Sequence, residues 1–155
     1  MVWEELNEKL IFTGVEAKTA KDVFKQLGQA VIDEGYAKDS YIEALSERED
    51  EFPTGLNIDG FGIAIPHTAV DHVNKSGIAI DVLTEPVRFI EMGSDDDPVD
   101  VKLVFMLAVV DPKQHIEDLK RILAIVTDKS VLERLVNATD AQEIINIIKE
   151  KELSL

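Results

Sequence analysis

The period of the apolar positions changes twice along the chain: helical first, then strand-like, then helical again. Val23, Phe24, Leu27, Ala30 and Val31 recur on one helical face. Thr19 precedes them as an N-cap, with Asp22 three residues on, and Gly35 closes the helix. A second, shorter helix is expected from Asp39 or Ser40 to about Glu49, with Tyr41, Ile42 and Leu45 inward. Its solvent side would be Glu43, Glu47, Arg48 and Asp50, and Pro53-Thr54-Gly55 marks a loop. Strand-like runs follow at residues 57–65, 76–83, 87–90 and 99–109, with a solvated turn over 93–98. Asp111-Pro112 then starts a helix, Asp as N-cap and Pro at the first helical position. Ile116, Leu119, Ile122, Leu123 and Val126 would be its buried stripe. Two more helices are expected behind the capping-box pairs Ser130/Glu133 and Thr139/Gln142, the last burying Ile144, Ile145, Ile147 and Ile148. Helices before and after a block of strands predict an α/β fold with both faces of the sheet covered.

Composition narrows the class. The chain has 155 residues and is 45% hydrophobic, enough for one domain with its own core, and no linker or repeat divides it. There is no cysteine, which excludes disulfides, thiolate metal sites and a cysteine nucleophile in this chain. The longest purely apolar run, 103–110, has eight residues, far short of the roughly 20 a membrane helix requires. Glu4 and Glu5 stand where a signal peptide would be basic. A soluble, cytoplasmic protein with no membrane insertion is expected. Asp and Glu total 31 against 16 Lys and Arg, a formal charge of −15. Such a surface argues against nucleic acid as a partner and suits a protein with a basic patch, although an acidic surface also serves solubility alone.

The candidate chemistry centres on Gly62-Ile63-Ala64-Ile65-Pro66-His67-Thr68. Ile63 and Ile65 alternate with small residues, as in a strand packed on both faces. Pro66 ends it by removing a ladder donor. His67 is thereby presented at a strand edge on a stiff support. Its unperturbed pKa of about 6.5 leaves a neutral, nucleophilic ring at neutral pH. His115 lies in the first turn of the helix that begins at Asp111-Pro112, where free N–H groups and the helix dipole favour anions. Alone it reads as a surface histidine near a cap, and Arg48 alone as a solvated helix residue. Beside a phosphohistidine, however, a guanidinium would match phosphoryl geometry.

Other motifs carry less. His67 and His72 are five residues apart, not the four that align two ligands on a helix face. A zinc site from His67, His72, His115 and a carboxylate has only a weak signal. Gly60-Phe61-Gly62 lacks the lysine and spacing of a phosphate loop, and no nucleophile elbow supports a serine triad. His72 and Asp71 read as surface residues. Asp95-Asp96-Asp97 lacks the spacing of a calcium loop and reads as a solvated turn.

Taken together, Arg48-Glu49, Phe52-Pro53-Thr54-Gly55, Gly62-Ile63-Ala64-Ile65-Pro66-His67-Thr68 and Pro112-Lys113-Gln114-His115-Ile116-Glu117-Asp118-Leu119 resemble the enzyme IIA domain of the bacterial sugar phosphotransferase system. The branch is the fructose–mannitol type. The run 51–56 and Pro86-Val87-x-Phe89 look most like its galactitol-type members. The resemblance spans nearly the whole chain. It implies an α/β/α sandwich around a mixed sheet, parallel and antiparallel, of about five strands. It also implies that His67 takes a phosphoryl group from the phosphohistidine of a small phosphocarrier protein and passes it to an enzyme IIB component, usually onto a cysteine. Arg48 would pair with the phosphoryl oxygens and His115 would hydrogen-bond them. Phosphorylation is expected on Nε2, with Nδ1 held by a backbone group, and no cofactor or metal is required. Phe61, Val70 and Ile116 are candidates for an apolar docking rim or for core. Two other readings stand beside the transport one. The same fold occurs in regulatory modules that sense phosphorylation state, and three histidines could in principle serve a metal-dependent hydrolase.

Overall fold

The computed structural model describes residues 1–155. Five strands form one mixed sheet. They are β1 (Leu6–Val15), β2 (Gly55–Ile58), β3 (Phe61–Ala64), β4 (Gly77–Ile90) and β5 (Pro98–Ala108), in the order β1-β4-β5-β3-β2. β1 runs parallel to β4 and β3 parallel to β5, whereas β4/β5 and β2/β3 are antiparallel. Five helices cover the sheet: α1 (Ala20–Asp33), α2 (Tyr41–Glu51), α3 (Pro112–Val126), α4 (Lys129–Val136) and α5 (Ala141–Leu153). No helix is long and apolar enough to cross a membrane. The expected α/β architecture with about five mixed strands is the one observed.

Alternation along the strands divides the core in two. Ile63, Ile65, Ile78, Ile80, Leu103 and Phe105 face α3, α4 and α5 through Ile122, Leu132 and Ile148. Ala64, Ala79, Leu83, Val104 and Met106 face α1 and α2 through Phe24, Leu27, Tyr41 and Leu45. A register shift between Val82 and Val87 lets β4 continue where two short strands were expected at 76–83 and 87–90. Four polar residues, Thr54, Thr68, Asp81 and Glu152, are buried. Asp81 on β4 is 1% exposed, and its Oδ2 has no hydrogen-bond partner.

Several sequence expectations shift on inspection. The run 57–65 is two strands, because Asp59 and Gly60 both take positive φ (49° and 91°) and reverse the chain. This is the Asp-Gly hairpin turn, closed by Gly60 N–H donating to Asn57 Oδ1 at 2.9 Å. The N-terminal strand β1 was not anticipated. Thr19 does cap α1, with Asp22 completing the box, and Asp111 caps α3. The caps of α4 and α5 differ from the expected ones: Asp128, two residues earlier, replaces Ser130, and Asp140, one residue later, replaces Thr139. Asp128 Oδ1 accepts from both the N–H and the hydroxyl of Ser130, so the carboxylate takes the acceptor role. In α3 the buried set is Ile122, Ile125 and Val126. Ile116 and Leu123, expected inside, are exposed.

Gly62 sets the closeness of β3 to β5. A Cβ at this position would lie 1.8 Å from the carbonyl oxygen of Asp100, so no side chain fits without moving backbone. The strand that leads to His67 is held directly against its neighbour for that reason.

Candidate active site

His67 follows β3 by three residues, and its neighbours fix where it points. Ile63, Ala64 and Ile65 are at most 1% exposed. Pro66 presents its carbonyl to Leu107 N–H at 2.9 Å, and the Leu107 carbonyl accepts the Tyr41 hydroxyl at 2.8 Å. The support is thus tied to β5 and α2 together. His67 itself is half-buried, and its Nδ1 lies 3.0 Å from the carbonyl oxygen of Ile65. A carbonyl only accepts, so Nδ1 carries the proton and donates. Nε2 then carries the lone pair.

Two further groups join it from opposite sides of the sheet. The His115 ring, from the first turn of α3, stands 4.6 Å from the His67 ring, centroid to centroid, with the planes tilted by 47°. Arg48, from the last turn of α2, is close enough that its charge disfavours protonation of both imidazoles. Its guanidinium lies 5.1 Å from the Phe52 ring centroid. It takes part in none of the ion pairs of the molecule, and its Nε is buried without a partner. His115 Nδ1 is likewise buried and unpartnered. Two donor-capable groups without acceptors beside a free imidazole nitrogen form a site able to receive an oxyanion. The three residues singled out from sequence, His67, His115 and Arg48, are therefore neighbours.

The remaining sequence candidates make other contacts. His72 is partly buried, its Nδ1 is 2.8 Å from Ser40 Oγ, and it lines a cavity with Arg48, Phe52 and Thr68. No three His, Asp or Glu side chains are arranged to hold a metal ion. Val70 and Ile116 are exposed, and Phe52, not anticipated as a surface group, is 54% exposed. Phe61 is half-buried against the core.

Burial holds the His67 ring below its usual pKa. The Ile65 hydrogen bond opposes this, and the charges of His115 and Arg48 add to it. His115 is lowered by burial as well, against an upward pull from Asp118. Both rings are therefore neutral at neutral pH. A group with a lowered pKa keeps its neutral form until the pH falls through that lowered value. The nucleophilic activity of His67 should accordingly be flat from pH 7 upward and decline only below the ordinary histidine value of about 6.5. Proton-coupled NMR titration of ¹⁵N-labelled histidine measures this, and a His67 midpoint above the ordinary value would contradict it.

A sheet-end imidazole with a fixed tautomer, a second imidazole and an unpaired guanidinium, on an α/β/α scaffold, form an arrangement chemically suited to receive a phosphoryl group. The chain belongs to the family "Phosphoenolpyruvate-dependent sugar phosphotransferase system, EIIA 2", whose model matches residues 4–151. Members of this family are phosphotransferases that act through a phosphohistidine intermediate. The galactitol-specific EIIA component of Escherichia coli (strain K12) is 30% identical over 130 residues, covering 84% of this chain and 86% of that protein. The mannitol-specific phosphotransferase enzyme IIA component of Staphylococcus aureus (strain Mu50) is 30% identical over 145 residues, covering 92% and 93%. Among solved structures, the complex of enzyme IIA-mannitol with phosphorylated enzyme IIB-mannitol from Escherichia coli superposes with a TM-score of 0.79. The matched chain is 29% identical, with 94% of this chain and 97% of that one covered.

Proposed function

We propose that this protein is the phosphoryl carrier of a sugar or sugar-alcohol uptake system, with His67 as the residue that carries the group. The observation that supports this most is the Nδ1 contact of His67 with the Ile65 carbonyl, which leaves Nε2 free beside His115 and the unpaired Arg48. The donor is the phosphohistidine of a small phosphocarrier protein. As the donor's P–N bond breaks, the Nε2 lone pair of His67 forms the new P–N bond. The proton stays on Nδ1, hydrogen-bonded to the Ile65 carbonyl. Such a transfer is in-line and largely dissociative, so catalysis consists of alignment and charge stabilisation. Arg48 meets the equatorial oxygens, and His115 donates to one of them. The group then leaves His67 for a nucleophile on an enzyme IIB component, the partner named in the solved relative. No cofactor or metal enters this scheme.

Docking follows from the same surface. Phe52, Val70 and Ile116 give exposed apolar contacts near the site, inside a chain of net charge −15. A phosphocarrier with a basic, partly apolar face complements both features. Galactitol is the favoured substrate of the system this protein would feed, from its galactitol-specific relative, and the mannitol-specific relatives keep other hexitols open.

The test mixes the purified protein with phosphoenolpyruvate, Mg²⁺, enzyme I and the phosphocarrier, and records intact mass. One acid-labile phosphoryl group is expected, and it should pass to a IIB component on addition. An unmodified mass beside a phosphorylated carrier would overturn the proposal. A phosphorylated protein that no IIB component discharges would point to a regulatory module instead.

A further inference from the structure

The residue after the arginine makes a set of contacts that the carrier reading does not use. Glu49, in the last turn of α2, reaches forward to Thr54 with both carboxylate oxygens. Oε2 accepts the Thr54 backbone N–H at 2.7 Å, and Oε1 accepts the Thr54 hydroxyl at 2.7 Å. Thr54 is 3% exposed, so its N–H has no recourse to water. The Thr54 carbonyl in turn accepts the Ile65 N–H at 3.3 Å, and the Ile65 carbonyl accepts Nδ1–H of His67 at 3.0 Å. A chain of hydrogen-bonded residues therefore runs from the end of α2, through the residue just before β2, to the ring of His67.

The chemistry of Glu49 is unusual for a helix-end carboxylate. It joins no ion pair, although Arg48 is its chain neighbour. Burial raises its carboxyl pKa, and the two Thr54 hydrogen bonds work against that rise. A carboxylate held in a partly dry place, committed to two donors of one residue, is a rigid bracket. It also spans the Phe52-Pro53 bend, fixing the helix end that carries Arg48 relative to the strand pair that carries His67.

We propose that Glu49 is a positioning residue for phosphoryl transfer: by clamping Thr54 it holds the Ile65 carbonyl in place, and so fixes the tautomer and direction of the His67 ring relative to Arg48. The consequence for activity rests on the carrier reading above. The consequence for the tautomer does not, and the two are separable by experiment.

Three variants test it: Glu49→Ala, Glu49→Gln and Thr54→Val, each checked for folding by circular dichroism. The readouts are the His67 ring ¹⁵N shifts at pH 7.5 and the rate of phosphoryl uptake from the phosphocarrier. In Glu49→Ala the Nδ1–H tautomer should lose its dominance, and uptake should slow by about 10- to 100-fold, as displacement of a reacting group by about 1 Å would give. Glu49→Gln should recover most of both, because its amide oxygen can accept the Thr54 N–H while its NH₂ donates to the Thr54 hydroxyl. Thr54→Val keeps the backbone bond and loses the hydroxyl one, so an intermediate effect is expected. If Glu49→Ala does not fold, a wild-type tautomer and rate in Thr54→Val would overturn the proposal. A folded Glu49→Ala with the wild-type tautomer and rate would overturn it directly, as would a Gln variant no better than Ala. If the wild type itself takes up no phosphoryl group, the carrier reading fails, and the ¹⁵N shifts alone still decide the role of Glu49.

Discussion

Phosphoryl uptake from the phosphocarrier should vanish in His67→Ala while the fold survives, and the neighbouring imidazole should not replace it. The expectation follows from the unequal settings of the two rings. His67 Nδ1–H donates to the Ile65 carbonyl, so on the proposed reading the attacking nitrogen would be defined before the donor arrives. His115 has no such anchor: its Nδ1 is buried without any partner. Without a bonded acceptor, its tautomer and direction are not set for attack. It is suited to donate to a phosphoryl oxygen brought by another group. His115→Ala should therefore keep its capacity for one phosphoryl group and lose rate, by roughly 100-fold, the cost of one oxyanion donor. Intact mass after full incubation separates capacity from rate, and a quenched time course gives the rate. A phosphorylated His67→Ala protein would move the acceptor elsewhere. An unphosphorylated His115→Ala protein would show that the two rings cannot be assigned distinct roles.

Asp81→Asn should stabilise the protein at alkaline pH and do progressively less as the pH falls. Asp81, paired with Phe12 across β4 and β1, lines a cavity of about 250 Å³ with Phe12, Thr13, Val15, Gln26 and Leu27. With no partner for Oδ2, burial pushes its carboxyl from 3.8 up to about 7. The folded state thus binds this proton more tightly than the unfolded state. Its contribution to stability is fully present below pH 3.8 and is lost as the pH rises through about 7. The shift corresponds to a ceiling of about 4 kcal/mol, of which roughly 2–3 kcal/mol falls between pH 5 and pH 8. The isosteric amide has no such proton to lose. Urea unfolding of both proteins at pH 5 and pH 8 measures the difference directly. Other raised carboxyls, Glu5 and Glu49, are common to both proteins and cancel. Parallel pH dependences for wild type and variant would refute the argument.

Much of this molecule can be read from its residues, and the misreadings have physical causes. The helices announced themselves by period and caps, because each has one apolar face on a large core. β1 escaped notice because it is an edge strand: Glu8, Lys9 and Phe12 are exposed, and Leu10 and Ile11 are buried side by side, so no clean alternation exists. α3 misled in the other direction. Ile116 and Leu123 keep helical spacing with the buried residues yet lie on the open side. Apolar residues kept for surface contact cannot be told from core by period alone. At the site, the motif around His67 identified the acceptor candidate, and Arg48 and His115 gained meaning only beside it. The Glu49–Thr54 bracket left no trace beyond the two residues themselves. One carboxylate satisfying a backbone N–H five residues ahead has no periodicity to detect.

The division of the core by the sheet has a further consequence. Arg48 arrives from the helical layer on one face, His115 from the layer on the other, and His67 from the sheet between them. No single layer contains a working site. If either layer loosens, the three groups separate before the rest of the molecule need unfold. A molecule that can accept a high-energy phosphoryl group is then one whose layers are all assembled. Partly opened molecules, in which water could reach the group and hydrolyse it, would be poor at loading it in the first place. On the carrier reading proposed above, the architecture would thereby limit the leakage of phosphoryl groups to solvent.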